Sequence, residues 1–90
     1  MNESQGQAMS ASPAFPLALA SAGERVRIAS LLGGRGLQVR FMSMGLALGD
    51  EVEVIQSRPN GAVVIGKDGV RYGLGGGMAQ KILVKICGET

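Results

Sequence analysis

From Gly23 onward, apolar and polar positions alternate in short runs separated by glycine-bearing turns. In Gly23–Ile28, Val26 and Ile28 fall on one side and Arg25 and Arg27 on the other. That two-residue period marks a half-buried strand. Glu51–Gln56 repeats it, with Val52 and Val54 opposite Glu51 and Glu53. Ala62–Gly66 follows as a third strand, Val70, Tyr72 and Leu74 mark a fourth, and Ile82, Val84 and Ile86 opposite Lys81 and Lys85 mark a fifth. Between the later strands stand Arg58-Pro59-Asn60-Gly61 and Lys67-Asp68-Gly69, sequences that form tight hairpin turns because Asn, Asp and Gly tolerate positive φ.

One segment has a different period. After the breaker cluster Gly33-Gly34-Arg35-Gly36, apolar residues recur at Leu37, Phe41, Met44 and Leu48, the spacing of one helix face. The spacing predicts a helix near residues 36–44, stopped by Gly45 in the left-handed conformation, with Leu48 in the connection beyond. Gly75–Ala79 predicts one helical or 3₁₀ turn. The fold class that follows is a small all-β protein: a five-stranded, strongly bent antiparallel barrel with one short helix after the first strand. Closure protects strand edges, and the glycines supply the curvature. Residues 1–15 have neither period and read as a flexible N-terminal tail that packs only through Phe15, leaving residues 16–87 as the folded domain.

Composition narrows the function. At 90 residues there is room for one domain with a thin core. A net charge of +2 is too small to draw nucleic acid by bulk electrostatics, and Tyr72 is the one aromatic platform on the strands. The chain contains no His and a single Cys, Cys87, which removes the commonest general base, closed zinc sites and an intrachain disulfide. Cys87 ends an apolar strand and reads as a small core residue. No apolar run reaches membrane-spanning length, and the N-terminus lacks the basic start and apolar stretch of a signal peptide, so a cytoplasmic location is expected.

Neither glycine cluster carries a nucleotide signature. Gly33–Gly36 lacks the Gly-Lys-Ser/Thr ending, and Gly73–Gly77 fails the dinucleotide spacing. Ser43 and Ser57 have no base to activate them, so no enzyme and no cofactor is expected. Asp50, Glu51 and Glu53 form the one carboxylate cluster and are weak surface candidates for a hydrated divalent ion, without a tight site. Met42, Met44 and Met78 at helical and turn positions read as core filler or adaptable contact surface. Partner binding remains. Met42 and Arg40 lie about 100° to either side of Phe41 around a helix, outside the buried stripe. Leu46 and Leu48 follow the cap where the chain returns over the surface. Arg40, Met42, Leu46 and Leu48 are therefore the candidate partner-binding residues, with the face carrying Lys81 and Lys85 next in line.

Leu19, then Ala22-Gly-Glu-Arg-Val-Arg-Ile28, then Arg40-Phe-Met-Ser-Met-Gly-Leu46, and Gly49-Asp-Glu-Val-Glu-Val54 resemble, in that order, the FeoA (ferrous iron transport protein A) family, where a short helix ends in a Leu-Gly-Leu-x-x-Gly turn. Tyr72-Gly-Leu74, Ala79 and Ile82-Leu-Val84 are similar to its closing strands. The match covers about residues 16–86. It departs at Leu48, where Pro is usual, and at Gly75–Gly77, which replace a charged helix-forming stretch. The resemblance implies an SH3-like barrel without enzymatic activity, a cytoplasmic regulatory or accessory role in ferrous iron uptake beside the membrane transporter FeoB with its GTP-binding domain, and a monomer or weak homodimer that does not itself span the membrane. The alternative is a metal-responsive or nucleic-acid-binding barrel. The same module closes iron-dependent repressors of the diphtheria toxin repressor type, but no DNA-binding helices precede it in this sequence.

Overall fold

The computed structural model describes residues 13–87. The expected tail lies outside the described residues as far as position 12, and Phe15, its last residue, packs against the core. In chain order the elements are β1 (Phe15–Pro16), a 3₁₀ turn (Leu17–Leu19), β2 (Arg25–Leu31), α1 (Arg35–Ser43), β3 (Glu51–Ser57), β4 (Val63–Lys67), β5 (Val70–Leu74), α2 (Gly76–Ala79) and β6 (Ile82–Ile86). The strands form one antiparallel sheet in the order β1-β6-β2-β3-β4-β5.

The predicted faces hold where strands are central. Val26, Ile28, Val52, Val54, Val63, Ile65, Ile82 and Val84 are buried, and Leu17, Phe41 and Leu46 join them from outside the ladder. The register shifts between Ile28 and Ser30 and between Val54 and Gln56, and such bulges bend the sheet around its core. At the ends the alternation overreaches. Val70 is exposed beside the β4–β5 turn and Ile86 at the end of β6, because no opposing layer covers them there.

Among the described residues six strands are present where five were expected. The added one, β1, has two residues, Phe15 opposite Val84 and Pro16 opposite Leu83. Two residues carry no period, and Pro reads as a non-strand residue. Pro16 is tolerated because β1 stands at the edge of the sheet among the described residues, paired with β6 alone.

The two hairpins use their glycines differently. Asp68 and Gly69 both have positive φ, +52° and +81°, and Lys67 pairs with Val70, a mirror-image two-residue turn matched to strand twist. The Arg58–Ala62 loop is wider. Only Gly61 is left-handed, and the Asn60 side-chain oxygen accepts the Ala62 N–H at 3.0 Å. This loop touches α2. A Cβ on Gly76 would lie 2.5 Å from the Asn60 carbonyl oxygen, whereas one on Gly77 meets nothing within 4 Å. Gly76→Ala is therefore expected to destabilise the domain by about 1–3 kcal/mol through a forced backbone shift. Gly77→Ala is expected to be neutral or stabilising by up to about 1 kcal/mol, since Ala is the better helix former. Paired urea denaturation curves check both.

Candidate functional site

Helix α1 starts directly after Gly33 and Gly34, without a side-chain cap and with no acidic residue in its first turn. It ends where expected: Met44 is the cap, and Gly45 follows with φ +88°. Of its residues only Phe41 is fully buried, with Leu37 and Met44 half-buried on the same side. At 100° per residue, Arg35, Gln38, Val39 and Met42 cluster on the opposite side. There Val39 is 58% and Met42 69% exposed, so the helix presents an apolar outer ridge.

The connection after α1 divides the predicted residues. Leu48 is 59% exposed, but Leu46 is 2% exposed and belongs to the core. The expectation that Leu46 lies on the surface is thus corrected. The left-handed turn at Gly45 reverses the chain and drops Leu46 inward before Gly49, with φ +91°, turns it again. The Gly49 N–H donates to the Ile28 carbonyl at 2.8 Å, and the Ile28 N–H to the Asp50 carbonyl at 2.9 Å, which pins the connection to β2.

Asp50 is a fastening residue. Its carboxylate accepts from the Ala47 N–H at 2.9 Å and from Lys67 Nζ at 2.7 Å. Lys67 Nζ also donates to the Gly45 carbonyl at 3.0 Å. The clasp ties the β4–β5 turn to the loop that follows the helix. Hydrogen bonding to Lys67 holds the Asp50 carboxyl below its ordinary range, and the same bond raises the Lys67 ammonium. A lowered acid stabilises the fold above its unfolded pKa, ordinarily 3.8, and loses that contribution as pH falls through the folded value. A raised amine contributes fully below its unfolded pKa, ordinarily 10.5, and loses the contribution as pH rises through the folded value. The clasp is therefore expected to be intact between these limits, with stability falling below about pH 4. Asp50→Asn should flatten that acid limb in pH-resolved thermal melts.

The carboxylate cluster does not assemble. Asp50 is engaged by Lys67, Glu51 pairs with Arg27 across β2 and β3, and Glu53 stands opposite Arg25. Among the described residues, no group of three or more Cys, Asp or Glu side chains is placed to hold a metal ion. The reading of Asp50, Glu51 and Glu53 as a weak shared ion site is corrected accordingly: each carboxylate has a cationic neighbour instead. Cys87 is free and half-buried, its N–H donating to the Arg25 carbonyl.

Two grooves flank α1. One, about 470 Å³, is lined by Ser30, Leu31, Gln38, Met42, Ala47 and Leu48 and is mainly apolar. The other, about 550 Å³, lies between α1 and α2, where Arg40 and Lys81 face a lining of Leu37, Met78 and glycine backbone. Of the residues the sequence pattern proposed for partner contact, Met42 and Leu48 line the apolar groove and Arg40 the other. Leu31 and Ala47, which the sequence pattern did not single out, reach the apolar groove beside the β2 bulge and after the Gly45 turn, and Gln38 reaches it from α1, one turn before Met42.

The class this defines is an SH3-like β-barrel with a helix exposed on its surface. Among solved structures, the crystal structure of an iron uptake regulatory protein, FeoA, aligns with a TM-score of 0.76 and 31% identity over 83% of this chain and all of that one. A manganese-dependent transcriptional repressor aligns with a TM-score of 0.76 at 24% identity, over 86% of this chain but 44% of its own, a likeness of fold. A relative from Methanocaldococcus jannaschii named as an Fe(2+) transport protein A is 38% identical over 71 residues, 79% of this chain and 85% of its own. The FeoA domain model matches residues 15–86, and the chain belongs to the FeoA family, associated with ferrous iron transport.

Proposed function

We propose that this chain is a non-enzymatic accessory or regulatory protein of ferrous iron uptake that binds the membrane ferrous iron transporter FeoB from the cytoplasmic side. It works as a monomer or weak homodimer, held at the inner membrane through that partner. Family membership supports the iron-uptake context. The observation that carries the binding reading is the exposed apolar surface of Val39 and Met42 on α1 and of Leu48 on the connection after it, Met42 and Leu48 lining one groove. A core-facing helix of a small domain normally presents polar residues outward, and a contiguous exposed apolar surface marks a contact site. Among the described residues, no helix is long and apolar enough to cross a membrane.

The test is capture of the detergent-solubilised cognate transporter by the full chain. Met42→Asp and Leu48→Asp should each weaken capture about tenfold or more, since each removes roughly 1.5–3 kcal/mol of apolar burial and places a charge at the contact. Both variants should melt as the parent does. If both bind like wild type, the surface is elsewhere. Recovery of ribonucleic acid without the transporter would overturn the reading.

A further inference from the structure

The groove between α1 and α2 differs from the apolar one in charge and in wall chemistry. Arg40 comes to it from the helix and Lys81 from the turn before β6, and no acidic residue lines it. Among the described residues, the ion pairs engage Arg27 and Lys67, not these two cations. Gly36, Gly75 and Gly77 form its walls, and a Cβ added at any of them would meet nothing within 4 Å, so the main chain is open to close approach. The half-buried side chains of Leu37 and Met78 supply apolar surface.

We infer that this groove receives an extended, acidic segment of the protein partner, its carboxylates meeting Arg40 and Lys81, its methylenes packing on Leu37 and Met78, and its backbone running beside the glycines. The inference rests on the reading that the partner is the transporter, and it names the chemistry of the segment that docks. The space, about 550 Å³, is far more than a single ion fills, and the open glycine walls suit a polypeptide backbone. The polar groove over Gly66 offers no comparable preference, because Arg25, Lys67 and Arg71 there share it with Glu51, Glu53 and Asp68. Complementary charge of this kind steers encounter and fixes register.

The experiment measures affinity of the full chain for the detergent-solubilised cognate transporter at low and high salt. The double variant Arg40→Glu/Lys81→Glu is expected to weaken binding roughly tenfold or more at low salt, and the wild-type affinity to fall as salt rises. Gly77 supplies a control for bulk, since the position is open and lies on α2. Both Gly77→Glu and Gly77→Lys add bulk to the groove wall, and Gly77→Glu should weaken binding several-fold more than Gly77→Lys, of similar length, because only Glu repels an acidic segment. Equal loss from both Gly77 variants, or charge-reversed variants binding within twofold of wild type while Met42→Asp fails, would overturn the acidic segment and leave the apolar contact standing. A wild-type chain that binds no transporter would overturn both readings.

Discussion

Leu46→Asp is expected to unfold the domain, whereas Leu48→Asp, two positions later, is expected to leave it folded. Leu46 packs among the core side chains with 2% exposure, and Leu48 projects from the same connection at 59%. Truncating a buried Leu costs about 2–5 kcal/mol. A carboxylate left there without a partner adds a desolvation cost of several kcal/mol more, unless it takes up a proton. Domains hold about 5–15 kcal/mol in total, and one this small is expected near the lower end. Far-UV circular dichroism with urea titration separates the outcomes. A Leu46→Asp protein with a wild-type transition would mean that the connection does not enter the core. The contrast also protects the binding test, because lost transporter capture is interpretable only at positions where the fold survives.

Phe41→Ala is expected to cost about 3–5 kcal/mol, the largest effect of any single truncation in the helix. Phe41 is the one fully buried residue of α1 and the largest of the wholly buried side chains. A nine-residue helix that opens on glycines and lacks a side-chain cap has little stability of its own, so it depends on this anchor. Leu37→Ala and Met44→Ala, half-buried to either side, should cost less. Denaturation midpoints give the ranking, and amide exchange across Arg35–Ser43 should accelerate beyond the global change in Phe41→Ala. With α1 loosened, the ridge and both grooves lose their shape. Transporter binding should therefore weaken even under conditions where the barrel remains folded. A midpoint shift no larger than that of Leu37→Ala would show that the helix is held by other contacts.

The sequence determined what local periodicity encodes. Alternation at Val26/Ile28, Val52/Val54 and Ile82/Val84 placed strands and their inward faces, since a two-residue period admits one buried side. The spacing of Leu37, Phe41 and Met44 placed α1 to within a residue at each end, and Gly45 marked its stop because left-handed backbone there disfavours a side chain. The ordered set of motifs also carried the family. Tertiary structure decided the rest. Strand β1 exists because Phe15 and Pro16 meet the edge of β6, and two residues have no pattern of their own. Leu46 and Leu48 are chemically alike and two residues apart, and only the pair of left-handed glycines around them sends one into the core and the other to solvent. Asp50 and Lys67, 17 positions apart, meet only when the β4–β5 turn folds over the helix connection, which removes Asp50 from any carboxylate site with Glu51 and Glu53. The two grooves arise in the same way, from segments distant in sequence that the bent sheet brings to either side of one helix.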